Sequence, residues 1–188
     1  MSDQSTNSIK QKPIPYSKTG LKLRRSIPIT ITLLRLLALP HLIWSFNHEL
    51  TIATYTLFLF AIGSDLADGY ISRKIGANSK FGANLDIAVD FLFINGMYLT
   101  FILKGTYSAG ILFLIIFMFV QFILTNFHFK KTIYDPIGKY YGSLLFGGIG
   151  LTLLVPEQIM YDIVNIGIVV SAVSVIISRL AYFLKTKA

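Results

Sequence analysis

No cysteine occurs in this chain of 188 residues, and acidic side chains are scarce, nine against seventeen lysines and arginines. The first absence excludes disulfides and thiolate metal sites, and leaves the redox compartment open. The second makes the position of each acid informative. Long polar stretches are also few. With 54% of residues hydrophobic, 14% charged and a mean hydropathy of +0.64, the chain is too apolar for a soluble domain of this size and reads as a membrane protein.

Apolar runs of bilayer length fall at Ser26–Phe46, Thr51–Ile71, Phe81–Leu103, Tyr107–Phe127, Tyr140–Val155 and Ile159–Leu184. They predict an all-α polytopic bundle of six transmembrane helices in one domain, residues 26–184. Residues 1–25 form a cytoplasmic segment, in which Tyr16–Arg25 is expected to lie on the membrane as a short amphipathic helix. Residues 185–188 form a cytoplasmic tail. Lysines and arginines concentrate on one side: before the first run, between runs two and three, between four and five, and at the end. Lys104 alone lies on the other side. By the positive-inside tendency both termini face the cytoplasm. The net charge of +8 is then mostly topology; its spread over four segments argues against nucleic acid as a partner, whereas membrane lipid suits it. Trp44, His41 and His48 read as interfacial side chains, and the glycines of the fifth run as close helix packing.

Four of the nine acids, Asp65, Asp68, Asp86 and Asp90, stand at the ends of bilayer-grade segments. An ionisable group at membrane depth costs roughly 2.5–3.5 kcal/mol on insertion scales, and four gathered carboxylates repel one another. On a helix Asp65, Asp68, Gly69, Ser72 and Arg73 share one stripe, and Gly82, Asp86 and Asp90 share another. The stretch Lys74–Lys80, with Gly76, Asn78 and Ser79, reads as a loop that would bring the two stripes face to face. Oxygen ligands without Cys or His suit a hard cation, Mg²⁺ or Mn²⁺. Four carboxylates can hold two such ions about 3.5–4 Å apart, an arrangement used for in-line displacement at phosphorus.

The stretch Asp65–Asp90 resembles the signature of the CDP-alcohol phosphatidyltransferases, D-x2-D-G-x2-A-R-x8-G-x3-D-x3-D. Every interval matches, and Ser72 replaces the usual Ala. The resemblance implies a membrane enzyme that transfers a phosphatidyl-type group from a CDP-linked lipid to a small alcohol and releases CMP. It implies metal ligands at Asp65, Asp68, Asp86 and Asp90, with Asp90 also the base for the attacking hydroxyl. It further implies contacts to the CDP-lipid from Gly69, Ser72, Arg73, Ser79 and Gly82, and a homodimer. Ile27–Arg35 resembles the family's first-helix segment, which adds Pro28 and Thr32 to the nucleotide side; Ile29 stands where Asn is usual.

Arg35 is a solitary charge about ten residues into the first run, and is expected to face the polar site. With Lys130, Lys131 and Lys139 it forms a set of cations that could bind a phosphorylated acceptor. Gly138-Lys139 resembles a pair in the glycerophosphate-using branch, although Gly142 stands where that branch has Thr. Glycerol 3-phosphate is therefore expected ahead of an inositol phosphate, serine or another alcohol. Readings from other classes are an intramembrane prenyltransferase, against which one short loop joins the two Asp pairs, and a cation transporter, against which no matching acid lies deep in runs four to six.

Overall fold

The computed structural model describes residues 18–75, 80–129 and 136–187. Six helices follow one another: α1 (Lys18–Asn47), α2 (Thr51–Ile75), α3 (Lys80–Leu103), α4 (Ala109–Phe129), α5 (Pro136–Leu154) and α6 (Gln158–Lys187). Among the described residues there is no strand. Local chemistry sets several ends. Glu49 (φ 59°) and Gly105 (φ 79°) adopt the left-handed conformation after α1 and α3. Behind them the amides of Leu50 and Thr106 reach back to the carbonyls of Ser45 and Phe101, both at 2.9 Å, closing the last turns. Pro136 occupies the first position of α5, where its missing N–H costs nothing.

The helix from Lys18 runs unbroken into α1 through Pro28. A separate surface helix at Tyr16–Arg25 is thus not observed; its described part continues the first span. A proline inside a helix removes one backbone bond, and two threonines enrich the hydrogen bonding there. Thr30 Oγ1 donates to the Ser26 carbonyl at 3.0 Å, and Thr32 Oγ1 to the Pro28 carbonyl at 3.1 Å.

Among the described residues, three stretches are long and apolar enough to cross a membrane: Pro28–Asn47, Phe81–Leu103 and Gln158–Leu180. They make this an integral membrane protein. The apolar stretches of the other helices, Thr51–Ala67, Ala109–Leu124 and Tyr140–Leu154, are shorter. Large apolar side chains such as Leu37, Ile52, Phe113 and Ile166 are exposed, as a lipid-facing surface requires.

The centre of the bundle is α3. It packs on α1, α4 and α5, while α1 also runs along α2, and α6 covers α4 and α5. Its buried stripe, Val89, Phe93, Ile94, Met97, Tyr98 and Phe101, repeats at helical spacing. Tyr98 Oη donates to the Leu145 carbonyl at 3.2 Å. Tyr107 Oη and Thr152 Oγ1 are 2.6 Å apart, and Thr152 also bonds the Gly148 carbonyl at 2.7 Å.

The glycines of α5 divide into two kinds. A Cβ on Gly148 would stand 2.5 Å from Tyr98 Oη and 3.1 Å from Val164, and one on Gly150 would stand 3.0 Å from Phe58. These two permit close packing. At Gly142 and Gly147 a Cβ would meet nothing within 4 Å. Gly148→Ala is accordingly expected to destabilise the purified protein by about 1–3 kcal/mol, the range for overpacking a filled site, and Gly147→Ala to leave it within experimental error. Thermal melting of both variants in detergent checks the pair.

Candidate active site

The core-facing stripe of α1 is Thr32, Arg35, Ala38, Leu42 and Ser45, all buried. Arg35 therefore sits where a hydrophobic residue would be usual. Asp65 follows Ser64 on the inner edge of α2, and Asp86 and Asp90 flank Val89 one turn apart on α3. Because α2 and α3 both pack on α1, these side chains converge. Arg35 Nη1 donates to Asp65 Oδ1 at 2.5 Å, and Nη2 donates to Asp86 Oδ1 at 2.5 Å and lies 2.9 Å from Asp90 Oδ1. The guanidinium is completely buried, while the three carboxylates are 42%, 36% and 32% exposed. One cation thus meets three anions from beneath. Among the described residues its Nε has no hydrogen-bond partner.

The triad fits a divalent ion. Asp65, Asp86 and Asp90 can each offer an oxygen such that all three lie within 4.8 Å of one another. Oxygens about 2.0–2.6 Å from a common Mg²⁺ or Ca²⁺-sized centre would be separated by about 3–5 Å. The donor set is all oxygen and carries three negative charges against the one positive charge of Arg35, so a hard cation suits it. Asp68 lies one turn from Asp65 on α2, and its side chain falls outside the described residues.

From the carboxylates a cavity of about 820 Å³ runs between α2, α3 and α5. Asp65 and Asp90 mark one end and Tyr55 and Leu154 the other, with Phe58, Leu59, Ile62 and Phe146 along its walls. Gly142 and Gly147 open onto it, which is why their missing side chains leave space rather than contact. Nothing in the helical spacing of the acids announced this groove; the clue was the interval from Gly142 to Gly147 and Gly150 along one helix.

Of the other residues singled out in the sequence, Thr32 is buried one turn from Arg35, and Pro28 and Gly82 are half-buried. Gly82 precedes Asp86 by one turn. Gly69, Ser72, Arg73 and Lys139 lie within helices α2 and α5, but their side chains fall outside the described residues, as do Ser79, Lys130 and Lys131 altogether. Arg35, read in sequence as a candidate for an acceptor's phosphate, has both terminal nitrogens on carboxylates.

The family model for CDP-alcohol phosphatidyltransferases matches residues 25–182. The chain belongs to this family. An enzyme of this class is what the site then serves, and the prenyltransferase and cation-transporter readings fall away. A CDP-diacylglycerol–glycerol-3-phosphate 3-phosphatidyltransferase of Aquifex aeolicus is 26% identical over 169 residues, 85% of this chain and 95% of its own length. A chloroplastic/mitochondrial enzyme of the same name from Arabidopsis thaliana is 38% identical over 72 residues, 37% of this chain and 24% of its own. A CMP-forming cardiolipin synthase of Oryza sativa is 39% identical over 72 residues, 37% of this chain and 22% of its own. No solved structure matches.

Proposed function

We propose that this phosphatidyltransferase uses a CDP-diacylglycerol-type lipid and glycerol 3-phosphate, in a reaction that depends on a divalent metal. The observation that carries the reading is the convergence of Asp65, Asp86 and Asp90 at the head of an apolar groove. The names of the relatives from Aquifex and Arabidopsis support the acceptor.

In this reading Asp65, Asp68, Asp86 and Asp90 hold Mg²⁺ or Mn²⁺, with room for two ions across the four carboxylates. A bound ion would clamp the diphosphate and offset the charge on the departing CMP. Arg73, one turn beyond Gly69 on α2, reaches the diphosphate, and Ser72, Ser79, Pro28 and Thr32 line the nucleotide. Gly69 and Gly82 let it approach the backbone. An acyl chain lies along Phe58, Leu59, Ile62 and Phe146, where apolar walls replace water. Asp90 takes the proton of the acceptor hydroxyl as its oxygen bonds to the lipid-linked phosphorus. The bond from that phosphorus to the bridging oxygen breaks, and the electron pair leaves with CMP. Lys130, Lys131 and Lys139 receive the acceptor's own phosphate. All six helices cross the bilayer, with both termini and the site on the cytoplasmic side, and the enzyme works as a homodimer.

Purified protein should release CMP from CDP-diacylglycerol only when glycerol 3-phosphate is present. Exhaustive chelation should abolish release, and Mg²⁺ or Mn²⁺ should restore it; full activity in chelator would remove the metal from the account. Asp65→Asn and Asp86→Asn should each lower kcat/KM by at least about a hundredfold, equal to about 2.7 kcal/mol of transition-state stabilisation. Asp90→Asn should be equally inactive yet keep part of its metal binding, and equal loss of metal in Asp90→Asn and Asp65→Asn would contradict its separate role as base. Lys139→Ala should raise the KM for glycerol 3-phosphate about tenfold or more with the KM for the CDP-lipid unchanged, as one lost charge-assisted contact requires. Equal turnover with an uncharged alcohol, unaffected by Lys139→Ala, would reassign the acceptor.

A further inference from the structure

Among the described residues Arg35 is the largest fully buried side chain, and each of its two terminal nitrogens is on at least one carboxylate oxygen. Two roles are open to a cation so placed. It could be a placeholder that withdraws when a metal arrives, or a fixed support that stays. Burial decides between them. The guanidinium is 0% exposed while the carboxylates above it are 32–42% exposed, so an ion approaching from solvent meets the carboxylates first. Behind Arg35 the stripe of α1 continues with Ala38 and Leu42, and Phe93 and Met97 of α3 are equally closed off from solvent. A withdrawing guanidinium would have to enter that apolar core without a partner.

We propose that Arg35 is the positioning residue of the metal site, a permanent floor that gathers Asp65, Asp86 and Asp90 from two helices and remains in contact with them when the ion binds. The proposal rests on the metal reading given above. Each carboxylate has two oxygens. In the structure the Oδ1 atoms face the guanidinium, and the second oxygen of each carboxylate is the one that would turn toward an ion. Arginine suits the task better than lysine, because a planar fork spans several oxygens whereas an ammonium is a single point of charge.

The test is Mn²⁺ binding to the full-length protein in detergent, without lipid substrate, read from the electron paramagnetic resonance signal of free Mn²⁺. Wild type, Arg35→Lys and Arg35→Gln are compared, with circular dichroism to show that each is helical. Arg35→Gln should weaken the Kd for Mn²⁺ at least tenfold, and Arg35→Lys should recover part of the loss. If Arg35→Gln does not fold, Arg35→Lys carries the test, with a Kd weaker than that of wild type. Binding as tight as wild type, or tighter, in a folded Arg35 variant would overturn the proposal and make the guanidinium a competitor of the metal. Wild-type protein that binds no Mn²⁺ would overturn the metal reading itself.

Discussion

A buried arginine cannot be left without anions, and three carboxylates cannot be left together without a cation. In this protein each requirement answers the other. Carboxylate oxygens within 4.8 Å of one another carry charges that repel by roughly 3–4 kcal/mol or more at an effective dielectric constant of about 20, so convergence of Asp65, Asp86 and Asp90 alone would push α2 and α3 apart. Arg35 from α1 reverses the sign of the interaction. Removing one partner from such a cluster leaves uncompensated charge in the interior, a loss of about 3–5 kcal/mol for a buried pair. The ion pairs therefore do more than decorate a site: they fix where three helices meet.

From that meeting point the rest of the arrangement follows. With α1, α2 and the start of α3 tied together, α3 continues as the central helix, and its Tyr98 and Phe93 receive α5 on the far side. The glycines of α5 then act in two ways. Gly148 and Gly150 let the helix come close to Tyr98, Val164 and Phe58, while Gly142 and Gly147 keep the space between α2 and α5 open. The contact of Tyr55 Oη with the Leu153 carbonyl, at 3.1 Å, joins these two helices at the end remote from the acids. The result is a groove pinned at one end and charged at the other, which matches a substrate that is itself polar at one end and apolar along its length.

Much of this was legible in the sequence, and the limits have physical causes. The apolar run Phe81–Leu103 anticipated α3, Lys80–Leu103, because its few polar residues are outnumbered by apolar ones, and the intervals among Asp65, Asp86 and Asp90 identified the faces that converge. The stripe from Asp65 to Arg73 lies on a helix as its spacing implied, and α2 runs on to Ile75, two residues into the stretch read as a loop. The division between a surface helix ending at Arg25 and a span starting at Ser26 followed the change from basic to apolar residues, and the backbone carries one helix, Lys18–Asn47, across that change. Arg35 was recognised as facing the site from its lone charge. Its partners lie 30 and 51 residues away along the chain, and spacing within one helix carries no information about such contacts. The groove escaped notice because space is a property of three helices together.

The central claim is that the acceptor oxygen attacks the phosphorus bound to the lipid, and the most direct measurement follows that oxygen. Glycerol 3-phosphate carrying ¹⁸O in its primary hydroxyl is incubated with the purified protein and CDP-diacylglycerol, and the products are weighed by mass spectrometry. The account predicts that the label is retained in a phospholipid containing both the diacylglycerol and the glycerophosphate, with unlabelled CMP released in equal amount. Phosphatidic acid together with a cytidylyl-linked, ¹⁸O-bearing acceptor would place the attack on the other phosphorus and contradict it.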